Sequence, residues 1–286
     1  MACEFEIVAV GEDRAALSDI VELALDQVDK LDERLNCFRP TSEVSYLNSE
    51  AALRPVIVSP DLFEILRVAK DVWHDTEGAF DVTAGPLVGL WRKAEKSGIE
   101  PDPQAIEAAL KKVGMGHVLL DEATHAVQFD SEGVRINLGA IGKGYAVGRA
   151  ASILIEYGVE SALVSGGGSS VLGIGPGPDG DGWKVGIRHP TEFDERVDEV
   201  TLRDQAMSTS GGPAQRDPSV RECFEHIIDP VTGTQARSEA ASVSVIAADA
   251  MLSDALATAF YLRGRELASR YCTGHEGVRA VFVPFD

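Results

Sequence analysis

Apolar residues at helical spacing predict five helices along the chain. The longest covers residues 14–35, where apolar side chains recur every three or four positions opposite an acidic face. A second opens at Ser59-Pro60, an N-cap residue followed by proline at the first helical position. Further helices are predicted over residues 101–113 and 141–157, and from a cap at Asp249 to about Leu262.

Short apolar or alternating runs between the helices predict strands. They lie at residues 5–10, 118–120, 126–129, 134–138, 199–202, 223–228, 242–247 and 278–283, with two more around a Gly/Pro/Asp-rich hairpin at 173–182. Residues 41–48 are predicted to be a polar loop. Because the strands come in runs, the pattern favours an α+β fold over a doubly wound sheet. The 286 residues fit one large unit or two interlocked subdomains.

The charge balance narrows the choice of partners. The chain has 26 basic and 46 acidic residues, a formal charge of −20. Nucleic-acid binding depends on Lys and Arg that displace counterions, and anionic lipid also requires basic surfaces, so neither partner is expected. The four cysteines form no CxxC pair, and no apolar run is long enough to span a membrane. We expect a cytoplasmic protein without signal peptide or lipobox, although a removed leader would not be visible in this sequence.

Two segments near the C-terminus carry the strongest chemical signal. The run from His226 to Gly233 is typical of a strand that brings a histidine and a carboxylate into a Pro-Val-Thr-Gly turn. Asp254 and Thr258 are four residues apart on a predicted helix, so their oxygens can reach one hard cation. A histidine base beside a magnesium-type site suits phosphoryl chemistry. The alternative is that Asp254 and Thr258 belong to a cap or a solvated helix face.

Glycine-rich segments are ambiguous by themselves. Residues 139–144 lack the spacing of a phosphate-binding P-loop, and Gly166-Gly167-Gly168 lacks dinucleotide-binding spacing. No HExxH or GxSxG motif is present. The glycines near residue 141 have two explanations: the helix N-terminus there binds anionic oxygens, or it packs closely against a strand. Residues 78–91 fit a helix-to-loop connection with a buried Trp91.

In their amino-acid sequences and in their order along the chain, however, these segments together resemble the ApbE-type FAD:protein FMN transferases. The resemblance rests on Phe-Asp-Val-Thr-Ala-Gly-Pro-Leu-Val from Phe80, Leu-Gly-Ala-Ile-Gly-Lys-Gly-Tyr-Ala from Leu138 and His-Ile-Ile-Asp-Pro-Val-Thr-Gly from His226. Ser208-Thr209-Ser210-Gly211 and the helix with Asp254 and Thr258 extend it over nearly the whole chain. It implies one ApbE-like domain over residues 1–286, with two interlocked α/β subdomains, mixed, largely antiparallel sheets and an active site between the subdomains.

The resemblance also implies roles for individual residues. The places that contact FAD in the family correspond here to Met1, Phe38, Ala79, Phe80, Asp81, Asn137, Lys143 and Ile228. The Mg²⁺ places correspond to Ala140 (through its carbonyl), Asp254, Ala257 and Thr258, and the general base to His226. Asn137 stands where the family commonly has Asp, and Ala257 where some members have a second Asp. Gly212-Pro213-Ala214 replaces a stretch that is usually acidic and aromatic, and Ser169 lies near the Gly-Gly-Asp that the family often has.

The function implied is Mg²⁺-dependent transfer of FMN from FAD to a Ser or Thr hydroxyl of a partner flavoprotein, with release of AMP. Two alternatives remain open. One is a pyrophosphatase that hydrolyses FAD to FMN and AMP, and the other is a protein that binds FAD without chemistry.

Overall fold

The computed structural model describes residues 3–189, 195–211 and 227–285, and its opening elements lie where the sequence predicts them. Strand β1 (Phe5–Ala9) is followed by helix α1 (Arg14–Leu35), whose bounds match the prediction. The remaining helices are α2 (Glu43–Glu50), α3 (Pro60–Asp75), α4 (Gly85–Ser97), α5 (Pro103–Leu110), α6 (Gly142–Glu156) and α7 (Ala250–Gly274). The remaining strands are β2 (Val56–Ile57), β3 (Val118–Asp121), β4 (Ala126–Phe129), β5 (Ala162–Gly166), β6 (Ser170–Ile174), β7 (Trp183–Arg188), β8 (Arg196–Leu202), β9 (Gln205–Gly211), β10 (Ser242–Ala247) and β11 (Arg279–Val283).

The chain divides into two units and alternates between them. The first comprises Met1–Asp32, Ile141–Gly211 and Glu239–Asp286, and the second comprises Glu33–Ala140 and Gly212–Ser238. Helices and strands are mixed in both units, and the strand ladders are antiparallel. The predicted α+β class with antiparallel sheets is therefore confirmed.

The first unit is built on a six-stranded sheet in the order β1-β5-β6-β9-β10-β11. Side chains of one face pack with the β7–β8 hairpin in a cluster of Val171, Ile187, Leu202, Met207, Ile246 and Val283. Because side chains alternate along a strand, the intervening residues of β6 and β9 point to the opposite face. There Ser170 and Ser208, which are cross-strand partners, bond to residues of α7.

Helix α7 has a break near its middle. Asp249 caps its start by accepting a hydrogen bond from the backbone N–H of Leu252 at 2.7 Å, as predicted. Gly264 leaves the helical conformation with φ 72°, and the N–H of Arg265 then bonds to Oε1 of Glu239 at 2.8 Å. The predicted end near Leu262 thus coincides with this break, and a second helical segment continues to Gly274.

The second unit contains the three-stranded sheet β2-β4-β3 and helices α2 to α5. Ser59 caps α3 as predicted, by accepting a hydrogen bond from the N–H of Leu62. Helices α4 and α5 contribute Leu87, Trp91, Ala94 and Ala109 to a buried cluster that also includes Ile228. The indole of the buried Trp91 donates to the carbonyl of Gly233 at 2.8 Å, which fixes the Pro-Val-Thr-Gly turn against α4.

Three sequence predictions were wrong in this region. Residues 41–48 were predicted as a loop but include most of α2, which Ser42 caps by accepting from the N–H of Ser45. Residues 134–138 were predicted as a strand, yet both backbone groups of Ile136 bond to the side chain of Asn48 instead of a neighbouring strand. Residues 85–91, predicted as part of a connection, begin α4.

Two further outcomes concern the strands. The region 161–190 was predicted to contain two strands, but it contains β5, β6 and β7, with β5 and β6 joined through Gly167-Gly168. Residues 223–226 of the predicted strand 223–228 lie outside the described residues, and within the remainder Ile228 forms an isolated antiparallel bridge with Gln235. Among the described helices, none is long and apolar enough to cross a membrane.

Candidate active site

Asp254 and Thr258 share one face of α7 in the first unit. They are separated by four residues within continuous helix, upstream of the break at Gly264. The side chain of Asp254 is only 5% exposed, whereas Thr258 is half-buried. A buried carboxylate requires polar partners, because loss of hydration otherwise destabilises its charge.

The partners of Asp254 come from α6 and β6. Oδ2 accepts from the backbone N–H of Gly144 at 2.9 Å, and Oδ1 lies 3.3 Å from the hydroxyl of Ser170. The ammonium of Lys143 is 3.5 Å from Oδ1. Helix α6 has no side-chain cap of its own at Ile141, so Asp254 satisfies one of its free N–H groups and interacts favourably with its dipole. The predicted preference of this helix N-terminus for anionic oxygens is thus met in part by a carboxylate of the protein itself.

The approach of α7 to α6 requires glycine at position 144. A Cβ there would overlap the carbonyl oxygen of Ala250 and lie 2.7 Å from Cβ of Asp254. The Gly-Lys-Gly segment therefore allows the carboxylate of Asp254 to reach the start of α6.

Hydroxyl groups connect the same face of α7 to the sheet. Ser208 and Ser253 lie 2.9 Å apart and are buried, while Ser210 and Thr258 lie 3.1 Å apart and are partly exposed. Ala257, which precedes Thr258 on α7, is fully buried, and its methyl group has no donor atom for a metal.

The donor atoms available here fit a hard cation such as Mg²⁺. A carboxylate and a hydroxyl are oxygen ligands, and Mg²⁺ usually takes one or two carboxylates and completes its shell with waters and substrate phosphates. The part of the chain that the structure describes has no group of three or more His, Cys, Asp or Glu that could hold a metal. Asp254 and Thr258 would thus bind an ion only together with further oxygens, such as those of a phosphate.

Among the acids of the second unit that the structure describes, Asp81 has the pKa that departs most from its ordinary value. Its Oδ1 accepts from both the backbone N–H (2.7 Å) and the hydroxyl of Thr83, and Trp73 also donates to this carboxylate. The Thr83 oxygen itself accepts from the N–H of Gly114 at 2.6 Å. Burial nevertheless outweighs these bonds and raises the pKa of Asp81 to about 6.

The other FAD candidates of this unit differ in exposure. Phe38 is 59% exposed, and the guanidinium of Arg92 covers one face of its ring at 4.0 Å. Asn137 accepts from the N–H of Gly139 through its side chain. Ala79, Phe80 and Ile228 are buried, and the N–H groups of Ala79 and Phe80 donate to the carbonyl and the hydroxyl of Thr76, respectively.

The turn after Ile228 is rigidly held. Asp229 accepts from the N–H of Val231 at 2.9 Å through Oδ1, and its carbonyl accepts from the N–H of Gly233 at 2.8 Å. His226, the predicted base that precedes this turn, and Met1, a predicted FAD contact, both lie outside the described residues.

Comparison with known proteins now identifies the family. A model described as the ApbE family matches residues 1–282. The chain belongs to the ApbE family. A protein of Treponema pallidum (strain Nichols) named FAD:protein FMN transferase is 33% identical over 289 residues, which cover 96% of this chain and 78% of that relative. A protein of the same name from Escherichia coli (strain K12) is 30% identical over 90% of this chain and 75% of its own length.

Solved ApbE structures share the whole fold. The ApbE protein of Thermotoga maritima superposes with a TM-score of 0.86 at 27% identity, covering 98% of this chain and 94% of that one. The flavin transferase ApbE of Vibrio cholerae gives a TM-score of 0.85 at 26% identity, covering 99% and 91%. The predicted family resemblance is therefore confirmed.

In this ApbE-family chain, several residues that hydrogen-bond to the candidate site residues were not predicted from the sequence to have a role. Gly144, Thr83 and Ser210 each lie inside a segment that resembles the family, but no role was given to them. Ser170 carried no signal, because its contact with Asp254 joins residues 84 positions apart in the chain.

Proposed function

We propose that this protein transfers FMN from FAD to a Ser or Thr hydroxyl of a partner flavoprotein and releases AMP in a Mg²⁺-dependent reaction. Relatives that match nearly the whole chain carry the name FAD:protein FMN transferase. The observation that carries the proposal for this chain is the pair of Asp254 and Thr258, two oxygen donors one turn apart on α7.

The reaction exchanges one phosphorus–oxygen bond for another. The acceptor oxygen bonds to the FMN phosphorus, and the bond from that phosphorus to the bridging oxygen of the pyrophosphate breaks, so the electron pair leaves with AMP. Negative charge develops on the leaving group, and a bound Mg²⁺ neutralises such charge. Asp254 and Thr258 would hold the ion, with the carbonyl of Ala140 as a further ligand, while Ala257 offers no side-chain donor.

His226 is assigned to remove the proton of the acceptor hydroxyl. A histidine is suited to this role because its ordinary pKa lies near neutral pH. Replacing His226 by alanine should slow transfer by about 10²–10⁴-fold, the usual contribution of a positioned acid–base group. FAD affinity should change little, and the acidic limb of the pH–rate profile should disappear. Retention of that limb in the variant would make His226 structural.

The remaining FAD candidates fit complementary parts of a dinucleotide. The exposed ring of Phe38 offers an aromatic face for stacking. Asp81 and Asn137 offer hydrogen-bond acceptors, and the ammonium of Lys143 offers a positive charge for a phosphate. Ala79, Phe80, Ile228 and Met1 complete the set that the family resemblance implies.

The test is incubation of the full chain with FAD and MgCl₂, with and without an acceptor domain that another ApbE-family enzyme flavinylates. Transfer predicts AMP and covalently fluorescent acceptor only when the acceptor is present. AMP and free FMN without acceptor would indicate a pyrophosphatase, and FAD binding with no AMP in either case would indicate a binding protein.

Two variants of α7 make the test specific to the metal pair. Asp254→Ala should abolish AMP release at every Mg²⁺ concentration, and Thr258→Ala should do less harm, because a neutral hydroxyl holds a dication less strongly. Asp249→Ser is the matched control, since it removes another carboxylate from the same helix and keeps a residue that caps well. Wild-type activity of Asp254→Ala at limiting Mg²⁺ would remove the metal assignment.

A further inference from the structure

Two hydroxyl pairs join β9 to α7, and they differ in position. Ser208 and Ser210 are two residues apart on β9, so both point to the face covered by α7. Ser208 meets Ser253 at 2.9 Å in the interior, and Ser210 meets Thr258 at 3.1 Å where the site is partly open to solvent. Only the second pair includes a residue assigned to the cation.

The number of protons and lone pairs limits what Thr258 can do. A hydroxyl has one hydrogen to donate and two lone pairs with which to accept. To bind a cation, Thr258 must direct a lone pair at the ion, so its proton must go to another acceptor. A helical threonine can instead donate to the carbonyl four residues earlier, but the nearby Oγ of Ser210 provides an acceptor on the sheet.

We propose that Ser210 is a positioning residue for the divalent-cation site. Its Oγ accepts the proton of Thr258 and thereby turns the lone pairs of Thr258 away from the sheet and towards the ion. This inference rests on the proposed function, which assigns Thr258 to Mg²⁺. Partners of this kind, which orient a ligand without touching the metal, typically change metal affinity by about 10–100-fold when removed.

The structure provides a matched control for this role. Ser208→Ala removes a hydroxyl from the same face of the same strand, but its partner Ser253 is not a proposed ligand. Ser210→Thr is the conservative variant, because it keeps the hydroxyl and suits a strand. A purely structural role of the hydroxyl pairs would affect Ser208→Ala at least as strongly as Ser210→Ala, since Ser208 is the more deeply buried.

The experiment is a calorimetric titration of MgCl₂ into the full chain saturated with FAD and without acceptor. We expect Ser210→Ala to weaken Mg²⁺ binding by about tenfold, Ser210→Thr to restore it, and Ser208→Ala to bind within about twofold of wild type. Melting temperatures of the metal-free proteins show whether each variant is folded.

A double variant tests whether Ser210 acts through Thr258. If it does, Ser210→Ala combined with Thr258→Ala should bind Mg²⁺ no more weakly than Thr258→Ala alone. The inference is wrong if Thr258→Ala weakens binding while Ser210→Ala does not, or if the two losses multiply in the double variant. If Thr258→Ala itself binds Mg²⁺ as wild type does, the metal assignment of the proposed function fails and the inference fails with it.

Discussion

Replacing Asp81 by asparagine should remove a pH-dependent destabilisation of the folded second unit. Burial raises the pKa of Asp81 from 3.8 to about 6, against the hydrogen bonds from Thr83 and Trp73. Between about pH 4 and pH 6 the folded protein therefore binds a proton that the unfolded chain has released. The contribution of Asp81 to stability is present below pH 4 and is lost as the pH rises through 6.

The size of this effect follows from the two pKa values. A difference of about two pKa units corresponds to about 3 kcal/mol at 1.36 kcal/mol per unit. Asp81 keeps some contact with solvent, so we expect about 1–3 kcal/mol. Asparagine does not titrate. The free energy of unfolding of Asp81→Asn, minus that of the wild type, should therefore increase by this amount between about pH 4 and pH 7.

Urea unfolding followed by tryptophan fluorescence measures this difference. Trp73 and Trp91, two of the three tryptophans, lie in the second unit, so the signal reports largely on that unit. Asp71→Asn is the control, because Asp71 is an exposed acid on α3 whose side chain is 66% accessible. A difference between Asp81→Asn and wild type that stays constant from about pH 4 to pH 8 would refute the reasoning.

Other predictions follow from local geometry and can be checked by thermal or urea unfolding and by FAD titration. Gly144→Ala should lower the free energy of unfolding by about 1–3 kcal/mol, because the added Cβ overlaps with α7. Gly89→Ala should raise it by up to about 1 kcal/mol, because Gly89 on α4 has open space around it. Equal effects of the two substitutions would contradict the packing described. Ser59→Ala should cost about 1 kcal/mol through loss of the α3 cap, and an unchanged unfolding midpoint would argue against that cap. Phe38→Ala should lower FAD affinity with little loss of stability, because the ring is largely exposed; unchanged affinity would remove Phe38 from the proposed site.

The elements that the sequence predicted well have strong local signals. Helix α1 has regular apolar spacing over 22 residues, and α3 and α7 each begin with a residue that caps through its side chain. Helix α2 was missed because it has only two buried apolar residues, Val44 and Leu47, in eight. Residues 134–138 have the composition of a strand, but they form only an isolated bridge between Arg135 and Ala84, and Ile136 bonds to the side chain of Asn48, which no local pattern reveals.

The candidate site likewise combines features that local sequence patterns predict with features that depend on residues distant in the chain. The spacing of Asp254 and Thr258 on a helix is visible in the sequence, because it depends on helical periodicity alone. The partners of Asp254 are not visible, since Gly144 lies 110 positions away in the chain and meets Asp254 only after α6 and α7 have packed. The raised pKa of Asp81 likewise depends on burial by residues that are distant in sequence.

The amounts of AMP and of acceptor-bound FMN, measured by chromatography and intact mass in the same reaction, test the central claim most directly. Transfer of FMN from FAD to the acceptor predicts equal amounts of the two products, no AMP from Asp254→Ala, and no dependence of the product ratio on Mg²⁺ concentration. AMP that is matched by free FMN, with no FMN bound to the acceptor, would contradict the account.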